Sequence, residues 1–119
     1  MRNFDKEKIE QIINTRKIAH SFYSKRSAVY RSFVEMEQNT YKNGCLSKWQ
    51  KELIAIGISV VINCESCMEW HICQALKDGR SEEEVLEAIE VGIEMAGGPA
   101  TAAARFAMNV LDYYKKQSV

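Results

Sequence analysis

The stretch LSKWQKELIAIGISVVINCESCMEWHICQALKDG, residues 46–79, decides the fold of this chain. Its apolar run from Leu53 to Ile62 covers ten positions, well short of the roughly 20 residues that a membrane helix needs. The Ile and Val content is also compatible with a strand. However, the run continues directly from Ser47-Lys48-Trp49-Gln50-Lys51-Glu52, where Ser47 and Gln50 stand at the spacing of a capping box. It therefore reads as a buried helix over about 47–61. Asn63 is the expected cap of a further helix that runs to about Lys77, with Gly79 just beyond its end.

Outward from this pair, apolar residues at steps of three and four predict more helices. Ile9, Ile12, Ile13, Ala19, Phe22 and Tyr23, then Tyr30, Phe33, Val34, Glu37 and Tyr41 in a similar pattern, place two of them at roughly 5–24 and 27–41, closed by an Asn43-Gly44 turn. Ser81 and Glu84 repeat the capping box and open a helix with Val85, Ile89, Gly92 or Ile93, and Ala96 facing inward. Gly97-Gly98-Pro99 breaks the chain, and Pro99 suits the start of a last helix with Phe106, Val110, Leu111 and Tyr114 as its core stripe. One proline and six glycines leave little punctuation for a many-turned β protein. The chain reads as all-α, about five to six helices in a single domain over residues 1–119, without internal repeat or linker.

Sixteen basic and sixteen acidic side chains give a formal net charge of zero, which disfavours nucleic acid and acidic membrane surfaces as partners. The charge is segregated, with 11 basic and 5 acidic residues over 1–51 against 2 and 10 over 52–98. These are either solvated faces or opposite patches that dock subunits. The amino-terminal residues lack the pattern of a secretory signal, so a reducing cytoplasm is the expected location, where closely spaced thiols read as redox or metal chemistry.

Cys64-Glu65-Ser66-Cys67 is a C-x-x-C, and His71 follows four residues after the second thiol. On a helix, positions 64, 67 and 71 share one face. A helix start stabilises thiolates through its free N–H groups and dipole, and the thiolate is the nucleophile toward peroxides and disulfides. Glu52 lies on the preceding helix, where an antiparallel hairpin brings it within reach of His71 or a thiol. A carboxylate there would fix the imidazole tautomer; otherwise Glu52 is a solvated residue near a helix start.

The residues from Leu46 through Glu52, the apolar run, Cys64 to His71, Ala75 to Gly79 and Ser81 to Glu84 resemble the alkylhydroperoxidase AhpD-like, or carboxymuconolactone decarboxylase, superfamily over roughly 44–104, residues 1–43 being extra N-terminal helices. The resemblance implies a helical bundle with the C-x-x-C at the N-terminus of a central helix. It also implies a homo-oligomer, often a trimer or hexamer, and a thiol-dependent hydroperoxide reductase needing no cofactor. In that scheme Cys67 is the peroxidatic thiol, Cys64 the resolving one, and Glu52 and His71 the proton relay. The reductant would be a dihydrolipoyl protein, thioredoxin or a small thiol. Ser66 stands where some members carry a second histidine, and a hydroxyl is no base near neutral pH.

Three other readings remain. A carboxymuconolactone decarboxylase-type lyase would need a cationic pocket for a lactone acid. A non-catalytic redox sensor would use the dithiol only to report. Structural zinc would take Cys64, Cys67 and His71 with Cys45 or Glu52. Cys73 reads as a small buried hydrophobe and Cys45 as an exposed bystander. His20 has no ligand pattern around it, and the small residues from Ala100 to Ala104 suit a close subunit contact.

Overall fold

The expected capping boxes form. Ser47 and Ser81 each accept a hydrogen bond from the backbone N–H three residues on, while Gln50 and Glu84 accept from the N–H groups of Ser47 and Ser81. In the computed structural model, which describes residues 2–117, these boxes start two of six helices. They are α1 (Asn3–Arg26), α2 (Ala28–Thr40), α3 (Lys48–Val61), α4 (Glu65–Lys77), α5 (Glu82–Ala96) and α6 (Gly98–Gln117). Every described helix matches an expected one to within a few residues, and the described residues contain no strand. No described helix is long and apolar enough to cross a membrane.

The core forms where α3 to α6 meet. Ile56 and Val60 of α3, Met68 and Ile72 of α4, Val85 and Ile89 of α5, and Ala103, Ala107 and Val110 of α6 are buried together, and Ile9 of α1 joins them. Ala100, Ala103 and Ala104 turn inward. These small residues let α6 approach its own chain, while Thr101 and Ala102 stay exposed. The close contact of α3 with α5 depends on glycine. A Cβ on Gly92 would lie 2.7 Å from the carbonyl oxygen of Gly57 and 2.9 Å from Val60 Cβ.

α1 is tied down by a buried polar cluster. Glu69 of α4, with 0% of its surface exposed, accepts hydrogen bonds from the Arg16 guanidinium of α1 and the Tyr114 hydroxyl of α6. Arg16 also lies over the Trp70 ring, 4.8 Å from its centroid. Burial, followed by a hydrogen bond to Cys73, raises the Tyr114 pKa above the ordinary phenol value, keeping it a donor. Cys73 is buried as expected. Beyond this anchor the far half of α1 and all of α2 leave the body: α2 packs on α1 alone among the helices and buries no residue.

Two substitutions test these contacts in urea unfolding. In an exposed helix Gly→Ala stabilises; Gly92→Ala is expected instead to destabilise by about 1–3 kcal/mol, because backbone stands where the methyl must go. A midpoint at or above that of the parent protein would contradict this packing. Arg16→Met, which leaves the Glu69 carboxylate without its cation, is expected to cost about 3–5 kcal/mol.

Candidate active site

The α3–α4 hairpin is closed without a spacer. The N–H of Cys64 bonds to the Ser59 carbonyl at 3.0 Å and that of Asn63 to Val60 at 3.2 Å, the paired bonds of a Schellman ending, with Asn63 in the left-handed region at φ 53°. Asn63 is thus spent on ending α3. The cap of α4 is Cys64, whose Sγ accepts from the Cys67 N–H at 3.2 Å. This corrects the expected Asn63 cap. Asparagine suits both roles, and here its tolerance of positive φ decides. Cys64 and Cys67 are joined by a disulfide with Cα atoms 5.2 Å apart, and both are half-buried.

One turn beyond Cys67, His71 makes the contact on which the site is built. Its Nδ1 is 2.7 Å from Oε1 of Glu52, on α3, and Glu52 is only 2% exposed. The solvated reading of Glu52 is thereby excluded. With Nδ1 donating to the carboxylate, Nε2 is the ring nitrogen left to exchange a proton with a neighbour. Sequence reasoning missed two members of this cluster. Lys48 Nζ bridges Oε2 of Glu52, at 3.1 Å, and Oδ2 of Asp78, at 2.8 Å. Burial pulls the Lys48 pKa down, but the hydrogen bonds to Asp78 and Glu52 outweigh it and leave the ammonium more basic than usual. The four-residue step from Lys48 to Glu52 was a visible signal. Tyr41, the C-cap of α2, lies over His71 with ring centroids 5.3 Å apart, and no local pattern announces it.

On its other side Cys64 borders a cleft of about 860 Å³ under α1, lined also by Lys8, Gln11, Thr15, Arg16 and the exposed Ser66. Its cations are engaged: Lys8 pairs with Glu65 at 2.9 Å and Arg16 with Glu69. Cys45 is exposed, ahead of α3. Among the described residues no three His, Cys, Asp or Glu side chains converge as a metal cage.

Fold and site together define a class: helical-bundle proteins carrying a dithiol–disulfide pair at the start of a helix. The profile of the carboxymuconolactone decarboxylase family matches residues 27–109, and the chain belongs to that family. The "uncharacterized protein 4 in cox locus" of Paracoccus denitrificans is 37% identical over 81 residues, covering 68% of this chain and 73% of its own. Among solved structures, an apo carboxymuconolactone decarboxylase family protein of Legionella pneumophila superposes with a TM-score of 0.78 at 26% identity, over 95% of this chain and 99% of that one. A family member from Thermotoga maritima, for which a part in the antioxidative response has been suggested, gives a TM-score of 0.82 at 23% identity over 89% and 91%. At that identity the likeness shows a shared fold.

The burial of Tyr41, and after it the charges of Glu52 and Glu37, raises the phenol pKa above 10.0. A raised pKa contributes stability that is full below the unfolded value and lost as pH rises through the folded one. Tyr41 is thus expected to ionise only above pH 10.0, with loss of stability there. In Glu52→Gln its titration, followed by NMR of the ring, should move to lower pH; an unchanged midpoint would mean that Glu52 does not act on Tyr41.

Proposed function

We propose that the protein is a thiol-dependent hydroperoxide reductase that cycles Cys64 and Cys67 between dithiol and disulfide. The observation that carries this reading is the hydrogen bond between His71 and the buried Glu52, one helical turn from a C-x-x-C in its disulfide form. A structural thiol pair has no need of an oriented imidazole, whereas a nucleophilic thiol needs a base to take its proton and an acid to return it. The antioxidative role suggested for the Thermotoga maritima protein agrees with it.

In the reduced protein His71 Nε2 takes the proton of the Cys67 thiol, while Glu52 stabilises the imidazolium through Nδ1. The thiolate attacks the terminal oxygen of the hydroperoxide: an S–O bond forms, the O–O bond breaks, and the alkoxide leaves with the proton from His71. Cys67 is then a sulfenic acid. Cys64 occupies the cap position, where the Cys67 N–H faces its sulfur and favours its thiolate. It attacks the sulfenic sulfur: the S–S bond forms, the S–O bond breaks, and the hydroxide leaves as water with the proton that the Cys64 thiol gave up. A dithiol restores both thiols and leaves as its own disulfide, so two electrons pass from the dithiol to the peroxide. A dihydrolipoyl protein, thioredoxin or a small thiol has the required chemistry. Lactone-acid lyase chemistry is less well served. Lys8 and Arg16, which line the cleft beside Cys64, and Lys48, which bonds Glu52, are each held by carboxylates, which leaves none of them to bind the acid of a substrate.

The test is peroxide consumption with dithiothreitol as reductant, using hydrogen peroxide and an alkyl hydroperoxide, together with the mass of the Cys64–Cys67 peptide. The expected result is a peptide lighter by two hydrogens after one turnover, with activity abolished in Cys67→Ser. Glu52→Gln should slow thiol oxidation by about 10²-fold or more, the usual worth of a positioned proton-transfer group. Full activity in Cys67→Ser would overturn the assignment. Turnover of a lactone acid after alkylation of both thiols would replace it with the lyase.

A further inference from the structure

We infer that a cavity at the far end of α4 from the disulfide binds a carboxylate with an apolar tail. This does not depend on the redox reading. The cavity, of about 610 Å³, lies between the last turns of α4 and α6 and the start of α5. Small-molecule sites usually measure about 300–1,000 Å³. Cys73 lines the cavity and stands nine residues, two and a half turns, after Cys64, so the cavity opens on another side of α4 from the thiol pair.

Its floor and rim differ in chemistry. Leu111 is 2% exposed and Cys73 is buried, and with Leu76 and the Tyr114 ring they make an apolar floor. The Tyr114 hydroxyl is committed to Glu69, which leaves the ring to the cavity. At the rim stand Lys77, Arg80 and Lys115 against one carboxylate, Glu82. Lys115 pairs with Glu82 at 3.2 Å. Lys77 makes no ion pair among the described residues. The carbonyls that end α4 do not oppose an anion: those of Gln74, Ala75 and Leu76 already accept from the N–H groups of Asp78, Arg80 and Gly79.

Arg80 points most directly to an anionic head. Its guanidinium lies over Trp49, 4.2 Å from the ring centroid, and its Nη1 is 3.5 Å from Glu84, longer than an ordinary hydrogen bond. Nε is buried and, among the described residues, is the one buried side-chain nitrogen or oxygen without a hydrogen-bond partner. A buried donor without an acceptor is costly. A small rotation on the Trp49 ring would set Nε and Nη2 side-on to a carboxylate, the planar pairing that a guanidinium suits. Two cations above an apolar floor thus fit one singly charged head on a hydrocarbon body.

The test is a calorimetric titration of the full oxidised chain with decanoate, with the site read from methyl and ring NMR shifts. The expected result is one decanoate per chain, with shifts centred on Leu76, Leu111 and Tyr114. Decanol, a tail without the charge, should bind about tenfold more weakly, and Arg80→Gln should weaken decanoate by a similar factor, the usual worth of a hydrogen bond to a charged group. Lys77→Glu, on the exposed rim, should weaken it several-fold. Far-UV circular dichroism and the rate of disulfide reduction by dithiothreitol should not change in either variant; should Arg80→Gln lose its helical signal, Lys77→Glu decides. No binding, equal affinity for decanol and decanoate, or parent affinity in Lys77→Glu would each overturn the inference. Shifts centred instead on Ile58 and Val91 would also overturn it, and would assign the ligand to the apolar groove between α3 and α5.

Discussion

A carboxylate that is 2% exposed cannot stand alone. Removing the charge of Glu52 from water costs several kcal/mol, which only close partners can offset. Those partners are His71 and Lys48, and satisfying both fixes most of the site. The bond to His71 sets the register of α4 against α3, since a one-residue rotation of α4 would carry the imidazole away. Lys48 reaches on to Asp78 at the far end of α4, so the same carboxylate ties the start of α3 to the end of α4. With the hairpin closed through Asn63 and Cys64, the sulfur pair has no freedom independent of that register.

A second buried carboxylate does corresponding work on another side of α4. Glu69 and His71 are two residues apart, so they point in different directions. His71 faces Glu52 on α3, while Glu69 faces α1 and α6. α4 is therefore held by polar contacts on two sides as well as by Met68 and Ile72 in the core. Apolar packing tolerates small slips, but a charged hydrogen bond lost in a dry interior does not, so these contacts specify where His71 and the disulfide sit.

The sequence reveals those parts of the fold that local chemistry decides. Ser47-Gln50 and Ser81-Glu84 mark helix starts because cap and partner are three residues apart, and Gly79 and Gly97 mark ends because their positive φ is local. The candidate site is legible for the same reason as far as Cys64, Cys67 and His71, which share one helix face. The cap at 63 or 64 is not, because the residue that starts one helix is also the one that ends another. Glu69 shares a face with Ile72, Cys73 and Leu76, which hints at burial, but its partners Arg16 and Tyr114 lie 53 and 45 residues away. Tyr41 over His71 is equally non-local. The apolar recurrence in α2 predicts a helix correctly and says nothing of what it packs against.

That last gap joins the two halves of the molecule. α2 contacts its own chain only through α1, yet its C-cap, Tyr41, lies over the imidazole of the proposed relay. Whatever steadies α2 therefore steadies one wall of the site. A helix without buried residues gains little from its own chain to resist local opening. Its opening would take Tyr41 from the imidazole and admit water to the Glu52–His71 hydrogen bond, which is stronger in dry surroundings.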